Sequence, residues 1–512
     1  MKRHFQQVRR KGLITVPAER VILAIDQGTT SSRAVVFDSH GAVLGSAQQE
    51  THQRYPHPGW VEQDANEIIT VTFSMVRRAL AKAGVEAGQI ASIGITNQRE
   101  TTVLWDRSTG EPVAPAIVWQ SRQSAPLVEE IRRRKMADTY QRITGLVPDA
   151  YFSATKIAWL LQHDPTLRKR ADTGDLAFGT VDTWLLWHLS GGKVHVTDYS
   201  NASRTMLYDI RKLQWSDELL ADLDIPTSLL PDVTSNSEIL FDCDPSLFGS
   251  AIPVGGVAGD QQAAMFGQAC FAPGEAKNTY GTGSFLLMQT GADATTSKHR
   301  LLTTIAWGIG GEIEYALEGA IFVTGAAVQW LRDGLGIIDR ASDVEALARS
   351  VESSEGVAFV PALAGIGAPY WDQDARGVIS GITRGTTGAH IARATLEAIA
   401  FQTRDVIDAM QADSGISLGE LRVDGGASAN NLLMQIQANV LGVPVVRPKN
   451  VETTVLGAAY LSGLASGVWN DRGDVRESWE VDRRFEPEWS DGERAEHHGK
   501  WQDAVQRALS RS

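Results

Sequence analysis

Two stretches of the chain combine a carboxylate with a turn of small and hydroxyl-bearing residues at the end of an apolar run. Residues 22–38 read ILAIDQGTTSSRAVVFD, and residues 255–267 read GGVAGDQQAAMFG. Each closes a strand pattern with an aspartate, Asp26 or Asp260, and follows it with a small or polar turn. This suits phosphate chemistry, because small residues admit backbone N–H groups to phosphate oxygens while the carboxylate holds a metal ion or takes a proton. In the first stretch Gly28 permits a tight turn, Thr29, Thr30 and Ser31 offer hydroxyls, and Arg33 adds a forked cation. A capped turn between strands would use the same residue types. Two such units predict two like-folded halves facing each other across a cleft, with a nucleotide between them and an acceptor held against it.

Further groups fit that expectation. Gly281-Thr282-Gly283 makes a second phosphate-contacting turn, and Asp424-Gly-Gly-Ala-Ser-Ala-Asn430 lets a purine or ribose approach the backbone, with Asn430 offering an amide. Arg99 and Glu100 end a buried strand pattern, GITNQRE, where a charged pair needs a partner. A guanidinium beside a carboxylate can hold neighbouring hydroxyls of a polyol, one donating and one accepting; a mutual salt bridge is the plainer alternative. Trp119 and Tyr151 offer an aromatic wall for a small carbon skeleton, although with 14 tryptophans in the chain any one of them has a place in the core as its simplest explanation. Asp260 is the candidate base, since a hydroxyl attacking phosphorus must lose its proton to a carboxylate within hydrogen-bond reach. The chain has no GxxxxGK[ST] loop and no HRD…DFG set, which excludes P-loop and protein-kinase chemistry.

The elements that must position these residues are legible as strand, hairpin, helix, strand. VILAID, SRAVVFD and GAVLGSAQQE are extended runs, the last two separated by the turn residues Asp38-Ser39-His40-Gly41. A helix is predicted over about Ala65–Ala83 and a buried strand over 91–98. That order resembles a ribonuclease-H-like core more than a Rossmann unit, which begins strand, helix, strand and carries GxGxxG. In the second half, EAKNTYGTGSFLLMQT predicts strand, turn and strand, HIARATLEAIAFQTRDVIDAM a long helix, and LRVDGGASANNLLMQIQANVLG strand, glycine turn and helix. Strands alternate with helices throughout, so the class is α/β.

At 512 residues the chain exceeds one core and predicts two domains of roughly 200 to 250 residues each. A net charge of −13 argues against nucleic acid or an anionic membrane as the main partner. Two cysteines exclude a disulfide framework and fit a reducing, cytoplasmic compartment, and no apolar run reaches the roughly 20 residues of a membrane span. Residues 1–20 are basic and lack a signal-peptide apolar stretch, so they read as an extension. Residues 468–512, charged and aromatic, read as a C-terminal helical appendage on the surface.

The blocks DQGTTSSRAVV, GITNQRETT, GTVDTWL, VTDYSNASRTML, AGDQQAAMFGQ, AKNTYGTGSF and VDGGASANN together resemble the FGGY carbohydrate kinase family, over a span from about residue 21 to near 470. The resemblance implies two ribonuclease-H-like, actin-like ATPase domains facing across a cleft. The first (21–268) would bind glycerol and phosphate, the second (269–467) the nucleotide. It implies ATP and Mg²⁺ as cofactors, and phosphoryl transfer to a terminal hydroxyl of glycerol with Asp260 as base. Arg99, Glu100, Tyr151, Asp260 and Gln261 would hold glycerol, walled by Trp119 and Phe285. Thr29, Thr30, Ser31, Arg33 and Thr282 would meet the nucleotide phosphates, and Gly325, Gln329, Gly426 and Asn430 the rest of the nucleotide. Asp26, with Asp260, would position the metal. Relatives form dimers and tetramers, so a homo-oligomer is the implied state. Some members carry a basic, glycine-rich loop that binds a sugar bisphosphate; FDCDPSLFGSAIPVGG here lacks it, and no histidine lies between 196 and 297 for the phosphorylation switch of others. A kinase of a larger polyol or ketopentose, or an actin-like ATPase without an acceptor, remain the rival readings.

Overall fold

VILAID is apolar at every position before Asp26, as a strand covered on both faces must be. In the computed structural model it forms β1 (Val21–Gln27), near the centre of a six-stranded sheet. The structure describes residues 20–510, so the extension expected over 1–20 lies, apart from Arg20, outside the described residues. The other strands are β2 (Ser31–Phe37), β3 (Val43–Glu50), β4 (Ile90–Asn97), β5 (Ile239–Asp242) and β6 (Pro253–Gly259), in the order β5-β6-β4-β1-β2-β3. β2 and β3 are joined as expected: the Asp38 carboxylate accepts from the His40 and Ala42 N–H groups, both at 2.8 Å, and Gly41 takes φ +79°. Helix α1 (Ala65–Ala83) has the expected bounds, with Asp64 accepting from the Asn66 and Glu67 N–H groups at its start and Gly84 left-handed at its end. It lays Ile68, Thr72, Met75, Val76 and Ala79 against β2 and β3.

The second sheet contains β7 (Ala276–Tyr280), β8 (Ser284–Gly291), β9 (Leu302–Ile309), β10 (Glu312–Ile321), β11 (Leu421–Asp424), β12 (Val445–Pro448) and β13 (Val481–Phe485), ordered β9-β10-β8-β7-β11-β12-β13. In each sheet a first strand pairs antiparallel with a second, the second antiparallel with a third, and the first parallel with a fourth. The ribonuclease-H-like core therefore occurs twice, in the actin-like ATPase arrangement.

The duplicated unit is not the pair named from the sequence. Residues 22–38 and 255–267 lie in one sheet, as β1–β2 and β6, and the counterpart of the β1–β2 hairpin is β7–Gly281-Thr282-Gly283–β8. Asp260 instead opens helix α2 (Asp260–Gly267). Helices α3 (Gly325–Asp333), α4 (Gly388–Ser414) and α5 (Asn431–Leu441) accompany the second sheet.

Two segments depart from the expected division. Helix α6 (Thr453–Ala465), counted with the second half by sequence, packs on the first sheet and on α2. The approach is backbone to backbone: a β-carbon on Gly94 would lie 2.2 Å from the Ala458 carbonyl oxygen, and one on Gly457 1.8 Å from that of Ala263. The expected C-terminal appendage is a structural part of the second half. β13 pairs with β12, and α7 (Asp491–Ala508) buries Trp501, Ala504, Val505 and Ala508 in the core, with Trp501 Nε1 donating to Asp405 at 2.7 Å. Its charged residues are the solvent face of an element whose other face is apolar. No helix among the described residues is long and apolar enough to cross a membrane.

Candidate functional site

Parallel strands deliver the residues that follow them to one edge of the sheet, where open α/β sheets bind ligands. Register aligns Asp26 with Thr96 and Gly259 with Asn97. Asp26, Arg99–Glu100 and Asp260 therefore emerge together at the C-terminal ends of β1, β4 and β6.

Arg99 is 2% exposed and fully engaged on one side. Its Nη1 donates to Glu318 Oε2 (2.6 Å) and Gln262 Oε1 (3.2 Å), its Nη2 to Glu318 Oε1 (3.1 Å), and its Nε faces Asp260 Oδ1 at 3.1 Å. Arg204 completes a ring, with Nε on Glu100 (2.7 Å) and Nη2 on Glu318 (3.0 Å). Burial alone would raise Glu318, but Arg204 and Arg99 outweigh it and hold its pKa at about 2. Glu100 takes φ +62°, strain of order 1 kcal/mol that recurs at functional sites. The Ser153 hydroxyl donates to its carbonyl at 3.0 Å.

Asp260 is the open member of this cluster, its side chain 33% exposed. Its Oδ1 accepts from the Gln261 N–H at 2.7 Å. Burial pushes its proton affinity up, against Arg99 and Lys277. Burial likewise carries Asp26 to about 7, with Arg33 opposing and Asp260 and Glu452 reinforcing. Lys277 is a buried ammonium donating to Gln261 Oε1 and, at 2.9 Å, to Thr279 Oγ1; burial lowers its pKa to about 8, against Asp424 and Asp260.

Two of the three residues expected in the aromatic wall lie side by side on the first half. Trp119 and Tyr151 meet edge to face at 5.5 Å, and Trp119 Nε1 donates to Thr29 Oγ1 at 2.9 Å, joining the wall to the β1–β2 turn. Lys156, buried, donates to the carbonyls of Ala150 (2.7 Å), Tyr151 and Phe152 (3.2 Å), which fixes the segment carrying Tyr151. Phe285 is half-buried on β8, opposite Thr279.

Of the residues expected at nucleotide phosphates, Thr29 is half-buried, Thr30 is exposed, and the Ser31 hydroxyl accepts from Gln48 at 2.9 Å. Arg33 is ion-paired with Glu452 at the start of α6 instead of standing free. On the second half, the Gly325 N–H donates to Gly281 O and the Ala326 N–H to Thr282 O, both at 3.0 Å, which ties the exposed Thr282 to the start of α3. A side chain at Gly325 would meet Gly281 O at 2.6 Å. Gln329 is exposed one turn along α3. Gly426 has open space where a side chain would be, and Asn430 caps α5 through its Oδ1, accepting from Leu433 N–H at 2.9 Å.

Sequence reasoning missed Arg204, Glu318, Lys277 and Lys156. The available signal was a charge inside an apolar strand, Glu318 in YALEGAI and Lys277 in AKNTY.

A divalent cation fits the Asp26–Asp260 edge. Among the described residues no hydrogen bond ends on the Asp26 carboxylate, and its proton affinity rises through burial and a neighbouring carboxylate, the imbalance a cation relieves. No cluster of three or more His, Cys, Asp or Glu able to hold a metal occurs among the described residues. An ion here would complete its shell with water and phosphate oxygens, as Mg²⁺ does.

Residues 21–267 match the model of the FGGY family of carbohydrate kinases, N-terminal domain, and residues 276–466 that of its C-terminal domain. A glycerol kinase of Aromatoleum aromaticum is 60% identical over 95% of this chain and 98% of its own length. One from Deinococcus radiodurans is 57% identical over 95% and 97%. The crystal structure of Plasmodium falciparum glycerol kinase with ADP superposes with a TM-score of 0.92 at 37% identity, covering 96% of this chain and 99% of that one. Two curated sequences and a solved structure, each matched over nearly its whole length, agree with the family models: the chain belongs to the FGGY family of carbohydrate kinases.

Proposed function

We propose that the protein transfers the γ-phosphoryl group of ATP to a terminal hydroxyl of glycerol, giving sn-glycerol 3-phosphate and ADP. The observation that carries this reading is the Arg99–Glu100–Asp260 cluster beside the Trp119–Tyr151 wall, with one carboxylate open among buried ones. Relatives at 57–60% identity that are glycerol kinases support the substrate.

In this mechanism the terminal hydroxyl lies against Asp260, which accepts its proton as the oxygen attacks the γ-phosphorus; the bond to the β-phosphate oxygen breaks and ADP leaves with the electron pair. Arg99 has five N–H donors, of which Nε, both on Nη1 and one on Nη2 are engaged, so one on Nη2 is left for a glycerol oxygen. Glu100 accepts from a second hydroxyl. Gln261 is turned by Lys277, which takes its carbonyl oxygen and leaves its amide N–H groups for the acceptor. Thr29, Thr30, Ser31, Arg33 and Thr282 would line the phosphates, and Gly325, Gln329, Gly426 and Asn430 the remainder of the nucleotide. Asp26 and Asp260 would hold Mg²⁺, which when bound neutralises charge on the phosphoryl oxygens. Closure of the two halves would exclude water from the transfer.

The test is ADP release from Mg²⁺-ATP with glycerol, dihydroxyacetone, erythritol, ribulose and xylulose as acceptors. The highest kcat/KM is expected with glycerol. Turnover confined to a longer polyol would move the substrate, and ATP hydrolysis indifferent to every acceptor would remove the kinase reading.

A further inference from the structure

Glu318 belongs to β10 of the second sheet, yet both its oxygens are spent on arginines of the first half: Oε2 on Arg99 and Oε1 on Arg99 and Arg204. Arg204 passes the link to Glu100 at 2.7 Å, and Glu100 lies 3.9 Å from Arg99 Nε, which closes a ring of two cations and two anions. No side chain in the ring is more than 2% exposed. The Arg204 guanidinium also lies 5.8 Å from the Tyr151 ring centroid and 5.3 Å from that of Phe152, and its Nη1 has no hydrogen-bond partner.

Buried ion networks add little stability over well-packed apolar side chains, so stability alone is a weak reason for four charges here. What the ring fixes is direction. Glu318 takes the fork of Arg99 and leaves only Nε toward Asp260, at 3.1 Å. Without it, the nearest free anion for that planar fork is Asp260, and a bidentate pair would occupy both oxygens of the carboxylate that must face the acceptor.

We propose that Glu318 is a positioning residue which, with Arg204, turns Arg99 and Glu100 into acceptor-binding geometry, so that the polyol cage on the first half is completed by a strand of the second. The inference rests on the kinase reading above. It makes acceptor binding depend on the relation of the two halves, while the nucleotide phosphates meet other residues.

The test compares wild type, E318Q, E318D and the double variant E318Q/R204Q for glycerol KM, ATP KM, kcat and thermal unfolding. E318Q is expected to raise glycerol KM about tenfold or more while ATP KM changes by less than about twofold, the split expected when one substrate's contacts are lost. E318D, which keeps the charge, recovers part of the loss. E318Q/R204Q removes one charge of each sign, leaves the interior neutral and so keeps the experiment readable if E318Q fails to fold. Its thermal stability returns toward wild type while glycerol KM stays raised. A wild-type glycerol KM in the double variant, or in a folded E318Q, would reduce the ring to charge balance and overturn the proposal. Wild-type turnover reports separately on the kinase reading; should another polyol be preferred, its KM is the one compared.

Discussion

Replacing Gly457 by alanine should displace the carboxylate assigned as base without touching the cleft. Gly457 lies on α6, facing α2, whose first residue is Asp260. A β-carbon there would stand 1.8 Å from Ala263 O, 2.6 Å from its carbonyl carbon and 3.0 Å from Gly267 N. Ordinary contact begins at 3.4 Å, so the helices must separate by about 1.6 Å (3.4 − 1.8), and all three obstacles are backbone atoms that cannot rotate away. Overpacking of this kind costs ~1–3 kcal/mol, offset by the ~1 kcal/mol that alanine gains over glycine within a helix. The effect on turnover is larger, because a misplacement of ~1 Å at a reacting group costs ~100-fold. Initial rates and thermal unfolding of Gly457→Ala are therefore compared with Gly492→Ala, an exposed position on α7 with nothing within 4 Å. The control should keep its kcat and be as stable as wild type or more so. A Gly457→Ala protein with wild-type kcat and unfolding temperature would refute the reasoning that α6 sets the position of α2.

Asp260→Asn should lower kcat by ~10²–10⁴ while calorimetry still detects glycerol binding; near wild-type turnover would place the base elsewhere. Trp119→Phe keeps the aromatic wall but loses the Nε1 bond to Thr29, worth ~1 kcal/mol. A rise of about fivefold in the KM of Mg-ATP is expected, and an unchanged value would show that Thr29 does not need that support. Burial lowers His188 and His195 to about 4, below the 6.5 of a free histidine. The unfolded chain therefore takes up protons first as pH falls, and stability should decline between about 6.5 and 4. His195→Gln should make that decline in unfolding temperature shallower, and an identical slope would rule out His195 as a contributor.

The architecture was legible where local patterns were strong. The β1–β2–β3 run, α1 and the strand–turn–helix at β11 and α5 lie at or within about a residue or two of their expected places. The repeat was misassigned because β1–β2 and β6–α2 both end a strand on aspartate, and short-range chemistry carries no information on sheet membership. The tail misled for a related reason: its charges mark the solvent face, while Trp501 and Val505 on the other face reach the core at helical spacing. At the site, Asp26, Arg99, Glu100 and Asp260 were visible as charges closing strands. Glu318, Arg204 and Lys277 were not, because their roles come from pairing between segments apart in the chain, and Lys156 was not, because its bonds go to the backbone carbonyls of Ala150, Tyr151 and Phe152, which carry no side-chain signal. Only the folded chain shows that Arg33 is engaged by Glu452.

The most direct test of the central claim is a crystal structure with glycerol, Mg²⁺ and a non-hydrolysable ATP analogue. A glycerol terminal oxygen should lie within about 2.6–3.2 Å of Asp260 and face the γ-phosphorus at about 3–3.5 Å, with Arg99 and Glu100 on the other hydroxyls. Glycerol bound away from Asp260, or a nucleotide whose γ-phosphate points out of the cleft, would contradict it.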